Sequence, residues 1–212
     1  MGQLNSPAGI CVSPDGSKVY VSDAYSRIQV FKKARWTGGK AIIVAGTTGP
    51  EDHLWNATQM SANFAYRTLT YQGFTKETIF YLSPNIELDL DSNGKADDVD
   101  SLTTNKDLEY AITTWAKDAD ALTLYIVDHG GNETFQMSDG ETLSASELAA
   151  WLNQADISGK VTVVYDACYS ETFMQPFTQS SDEARKETRD DGTIPSEPDQ
   201  EWIVMTSASP ET

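Results

Sequence analysis

From Lys40 onward the chain alternates between two apolar patterns. Short continuous apolar runs recur as "AIIVAG" (41–46), "TIFYLS" (78–83), "ALTLYIV" (121–127), "KVTVVYDA" (160–167) and "EWIVMTSA" (201–208). Between them, apolar residues return every three or four positions: over 55–72 (Met60, Phe64 and Leu69 among them), over 104–117 (Leu108, Ile112 and Trp115 on one side) and over 144–154. The short runs, rich in β-branched and aromatic residues, read as strands buried on both faces, and the longer periodic stretches read as amphipathic helices. Strands alternating with helices predict an α/β domain over 40–212, with a mostly parallel sheet flanked by helices. Ser144, with Glu147 three residues later, has the spacing of a capping box and sets the start of the third helix. Residues 178–200 are almost without apolar groups and predict a long solvated, disordered loop. The chain stops soon after the fifth strand, which reads as a domain truncated at its C-terminal side.

Residues 4–33 follow a different rhythm. "GICVS" and "KVYVSD" flank the turn "PDGS", and "RIQVF" alternates, which predicts short antiparallel strands. The pieces "P-x-GI-x-V-x-x-DG", "VYVSD" and "RIQVF" resemble one NHL repeat, the blade unit of a β-propeller. The resemblance implies a short N-terminal β appendage over 1–36, a propeller fragment, because one blade cannot bury its own faces. The polar stretch "KARWTGGK" (33–40) marks the boundary.

A hydrophobic content of 39% in 212 residues supports a packed core. The net charge of -17 is unevenly spread: residues 1–40 carry six Lys/Arg against two Asp/Glu, and the remainder nine against thirty. So acidic a body argues against nucleic acid as a partner, which calls for a basic face. No apolar run approaches the roughly 18 residues of a membrane span. Cys11 and Cys168 are the two cysteines, too few for a disulfide scaffold or an all-cysteine metal site.

Two strand ends carry the candidate chemistry. "LYIVDHGGN" ends in Asp128, His129, Gly130 and Gly131, and "VVYDACYSETF" places Cys168 just past its strand. In a parallel sheet the C-terminal edge is the functional one. An imidazole beside a thiol can take its proton, and the N–H groups of the glycines and of Cys168 suit a developing oxyanion. Taken singly, such a cysteine reads as a small core residue and such a histidine as a turn residue. Their pairing on consecutive strands favours an active site. His53, in "GPEDHLWN", reads as structural or exposed.

"YIVDHGG" and "VVYDACYS", with "AIIVAGTTG" upstream, resemble the legumain-type cysteine peptidases of the caspase–hemoglobinase fold over roughly residues 40–210. The resemblance implies a His129–Cys168 dyad acting on a peptide or protein substrate, with Gly130 supplying an oxyanion N–H and Asp128 matching the family's acid before the histidine. Asp166, two residues before the cysteine, matches a position facing the P1 pocket, which implies a basic or polar P1 residue; a turn or helix-cap carboxylate is the other reading. Legumains carry an asparagine in the loop after the first strand that orients the histidine; here that place reads "GTTG", so Thr48 or Thr47 stands in. The pocket arginine of asparagine-specific legumains has no counterpart in "HLWNATQ", so asparagine specificity does not transfer. Two further functions stay open: an inactive peptidase-like interaction module, and a transamidase that resolves the acyl-enzyme with an amine. In caspase-like relatives the linker matching 178–200 is often cut, so if Asp166 selects a basic P1, Arg185, Lys186 and Arg189 are candidate self-cleavage sites; an ordinary solvated loop is the other reading.

The acidic stretch "DLDSNGKADDVD" (89–100) has calcium-loop spacing. Side-chain oxygens at Asp89, Asp91, Asn93, Asp97 and Asp100, the backbone carbonyl of Lys95 and a turn at Gly94 fit an EF-hand-like or dockerin-like Ca²⁺ site. An acidic solvated loop is the alternative. No organic cofactor is implied.

Overall fold

The structure, a computed structural model, describes residues 7–13, 18–23, 28–32, 39–47, 49–117, 119–138, 140–173 and 202–207. Thr48 and the loop 178–200, with Arg185, Lys186 and Arg189, lie outside the described residues. The chain divides into two units, Met1–Thr37 and Gly38–Thr212. In the first, β1 (Pro7–Val12), β2 (Lys18–Asp23) and β3 (Ile28–Lys32) form an antiparallel sheet in the order β1-β2-β3, with a register shift between Pro7 and Gly9.

In the second unit the apolar runs become β4 (Gly39–Ala45), β5 (Ile79–Leu82), β6 (Ala121–Val127), β10 (Val161–Asp166) and β11 (Trp202–Thr206). All five are parallel, in the order β11-β10-β6-β4-β5. The chain leaves β4 toward β5 on one side and returns to β6 on the other. The C-terminal ends of β4 and β6 therefore flank a topological switch point, where open α/β sheets form crevices. Ile42, Ile43 and Val44 are fully buried because both faces of β4 are covered.

One face packs Ile42, Leu124 and Val163 against α2 (Asn105–Tyr110), its π-helical continuation Ala111–Trp115, and α3 (Ala145–Gln154). The other packs Ile43, Tyr81 and Val127 against α1 (Trp55–Gln72). Among the described residues that second layer does not extend over β10, whose burial alternates strictly where an unbroken buried run was expected. The face of α1 also differs from expectation. Thr58, Gln59, Ala62 and Tyr66 are buried, whereas Met60 and Phe64 are 69% and 70% exposed. Ala62 and Tyr66 are the buried α1 residues of the apolar cluster on that face, beside Ala41, Ile43 and Ala45 of β4.

Sequence periodicity did not reveal a second small sheet, β7 (Gly130–Gly131), β8 (Thr134–Gln136) and β9 (Thr142–Ser144), antiparallel throughout. It hands over directly to α3. Ser144 caps that helix: its hydroxyl accepts from Glu147 N–H at 3.2 Å, and Ser144 N–H donates to the Glu147 carboxylate at 3.1 Å. Ser144→Ala is expected to cost about 1 kcal/mol, read as a melting temperature lower by about 2–4 °C; an unchanged melting temperature would deny the cap this role.

Candidate active site

The ends of β4, β6 and β10 meet at one edge of the sheet, and small residues let them do so. A Cβ on Gly46, after β4, would lie 2.2 Å from Gln136 O and 2.8 Å from Asp128 Cβ. A Cβ on Gly130 would lie 2.1 Å from the carbonyl oxygen of Cys168 and 3.0 Å from Ala167 Cβ. The residue after the histidine is thus pressed against the backbone of the cysteine. A buried polar chain fixes this edge from below: Thr103 Oγ1 donates to Ala45 O at 2.7 Å, and Ser138 Oγ to Thr103 O at 2.6 Å.

His129 follows β6 and is about one-third exposed. Its Nε2 meets both carboxylate oxygens of Asp52, at 3.1 and 3.0 Å. Asp52 comes from the loop between β4 and α1, and its side chain is only 5% exposed. The same carboxylate accepts the N–H of Leu54 at 2.8 Å, so the start of α1 holds it in place; the positive end of a helix also favours an anion there. Among the described residues, the carboxylate that meets His129 is that of Asp52. Thr47 is buried, and its hydroxyl accepts from Gly49 N–H at 2.7 Å, closing a turn in the same loop.

Asp128 has a different task. It is buried, accepts from the Thr58 hydroxyl at 3.4 Å and receives the backbone N–H of His129. Burial pushes its carboxyl above the ordinary range, against the pull of that N–H and of the imidazole.

Cys168 is exposed and not disulfide-bonded. Tyr169, next to it, adopts φ 56°, a left-handed conformation that costs a non-glycine residue about 1–2 kcal/mol. The turn closes with Thr172 N–H donating to Tyr169 O at 3.0 Å, and below it Tyr165 stacks on Phe173 at 4.3 Å. Beside Cys168 lies a pocket of ≈ 290 Å³, lined among others by Leu54, Thr58, Val127, Asp128 and Asp166. Asp166 is half-buried there and accepts from the Tyr125 hydroxyl at 3.3 Å. Burial, then the Asp166 charge, push that phenol well above its usual range, so it stays a donor.

Residues 102–184 match the model of the Peptidase C13 family. No curated protein matches the chain. The matched segment contains β6, β10, His129, Gly130, Asp166 and Cys168, while Asp52 and the loop 89–100 fall outside it. The parallel sheet flanked by helices agrees with the caspase-like fold of that family, and the C13 match points to cysteine-peptidase chemistry on protein substrates.

The loop 89–100 folds around its own carboxylates. Asp89 accepts from Asn93 and Gly94 N–H at 3.0 and 2.9 Å, and Asp91 from Asn93 N–H at 3.0 Å. Ser92 and Gly94 supply the positive φ angles of the turn, 62° and 83°. Oxygens of Asp89, Asp91 and Asp98 lie within 4.8 Å of one another. Asp98, which spacing did not single out, is buried and accepts from the Tyr66 hydroxyl at 2.6 Å and from Leu90 N–H at 2.5 Å. Asp97 instead pairs with Lys76 at 2.8 Å, and Asp100 accepts from Tyr81 N–H at 2.8 Å. Burial holds Asp100 above the ordinary carboxylate range. The Asn93 side chain accepts from Lys95 N–H at 2.8 Å.

Proposed function

We propose that the second unit is a legumain-type cysteine endopeptidase with His129 and Cys168 as its dyad. The observation that carries the reading is the pairing of His129 Nε2 with the buried carboxylate of Asp52, at the edge where Gly130 is packed on the backbone of Cys168. With Nε2–H donated to Asp52, the lone pair of the neutral ring lies on Nδ1. That nitrogen takes the Cys168 thiol proton as sulfur bonds to the substrate carbonyl carbon. The N–H groups of Gly130 and Cys168 receive the oxyanion. The imidazolium then returns the proton to the leaving amine, giving an acyl-enzyme. Water, giving its proton to His129, releases the acid and the thiol. The pocket holding Asp166 takes the P1 side chain, and its carboxylate favours a basic one. Cleavage of a mixed peptide library, followed by mass spectrometry, tests this: cleavage after Lys or Arg that disappears in Cys168→Ala is the expected result. Products carrying an added amine would mark a transamidase. No turnover, with a thiol indifferent to His129, would mark a peptidase-like interaction module.

The β1–β3 sheet supports reading the first unit as a propeller-type blade. For the loop 89–100 the same proposal assigns a structural Ca²⁺. Asp89, Asp91 and Asn93 fit an oxygen donor set with the Lys95 carbonyl, and a cation would offset the repulsion among Asp91, Asp98 and Asp100. Calcium at 100 times its dissociation constant would then stabilise the fold by about 2.7 kcal/mol. The melting temperature should rise in calcium, fall with chelator, and lose this response in Asp91→Ala. Absence of calcium heat in a calorimetric titration would reject the site.

A further inference from the structure

The carboxylate that holds His129 also faces His53. Asp52 Oδ1 lies 3.4 Å from His53 Nδ1, and Asp52 meets His129 Nε2 at 3.0 and 3.1 Å. The two imidazole rings stand 5.2 Å apart, tilted by 55°. One ligand atom from each of the three residues lies within 4.8 Å of the other two. Two imidazoles and a carboxylate are a donor set for Zn²⁺ and unlike the all-oxygen set of the loop 89–100. A tetrahedral ion with bonds of about 2.0–2.1 Å separates its ligand atoms by roughly 3.3 Å. Two of the three separations here are already near that value. The third closes by rotation of His53, whose side chain is 80% exposed.

We propose that Asp52, His53 and His129 form a binding site for zinc-class transition-metal ions, and that filling it switches the peptidase off. The second half rests on His129 being the base of Cys168, as proposed above. A metal on His129 takes the Nε2 lone pair, and the proton once shared with Asp52 moves to Nδ1. The neutral ring then carries its single proton on Nδ1, leaving no lone pair for the Cys168 thiol. Fourth-position water completes the ion.

The test uses the full chain with calcium present to saturate the loop 89–100. Zinc is titrated calorimetrically into wild type, His53→Ala and Cys168→Ala, and the iodoacetamide alkylation rate of Cys168 is followed with and without zinc. The expected result is one zinc per chain in wild type and in Cys168→Ala, and affinity at least about 10-fold weaker in His53→Ala. Zinc should slow alkylation in wild type. In His53→Ala the same zinc concentration should leave alkylation near that variant's own metal-free rate. Equal affinity in wild type and His53→Ala overturns the site, as does loss of binding in Cys168→Ala. Zinc binding that leaves alkylation unchanged, in a protein whose alkylation falls on His129→Ala, overturns the switch. Alkylation indifferent to His129→Ala brings down the peptidase reading instead, and the metal site then stands or falls on the calorimetry.

Discussion

Cys168→Ala should reduce peptide cleavage to background, a fall on the order of 10⁴- to 10⁶-fold, with the melting temperature within about 1–2 °C of wild type. Among the described residues that line the pocket, Cys168 carries the one thiol. The small stability change follows from exposure, because Cys168 is not part of the core. The strained turn at Tyr169 is set by the backbone and by Phe173 beneath it, both untouched by the substitution. Residual cleavage at the wild-type rate would assign turnover to another group or to a contaminant.

Asp52→Ala should lower kcat/KM by on the order of 10²- to 10⁴-fold, because His129 loses the carboxylate that fixes its tautomer and orientation. It removes the acceptor from His129 Nε2 and from Leu54 N–H, and costs about 1 kcal/mol of stability for the latter. Asp52→Asn separates positioning from folding. Its amide oxygen can still accept from Nε2–H, so part of the lost activity should return. In the proposed mechanism Asp52 acts through His129, as a positioning residue. If Asp52→Asn and Asp52→Ala were equally poor enzymes with equal melting temperatures, the orienting contact would not be what activity needs.

Much of the domain was legible from pattern because apolar runs and helical periods record burial directly. The five strands and three helices, and the cap at Ser144, fall within a few residues of their expected positions. His129 and Cys168 stand out as candidates because each follows an apolar strand, and strand ends are easy to locate. Asp52, whose carboxylate meets His129 Nε2, does not stand out. It lies in "GTTGPEDHL", a turn-rich stretch with no period to say which side chain faces inward. Only the parallel order, which sets the ends of β4 and β6 side by side, brings it to His129. Asp98 was missed for a related reason. Loop spacing ranks Asp97 above it, but Tyr66 on α1 supplies a buried hydroxyl to Asp98, and Lys76 draws Asp97 outward. Met60 and Phe64 show the converse: an apolar period on α1 that the sheet does not use.

The central claim is that His129, held by Asp52, activates Cys168, and the two cysteines of the chain allow a direct internal comparison. Both are free and exposed, so Cys11 serves as a reference thiol in the same molecule. The alkylation rates of Cys168 and Cys11 by iodoacetamide, resolved by peptide mass spectrometry at neutral pH, should favour Cys168 in wild type. That preference should vanish in His129→Ala and shrink in Asp52→Ala. Equal rates for the two cysteines in wild type, or a preference for Cys168 that survives His129→Ala, would contradict the account.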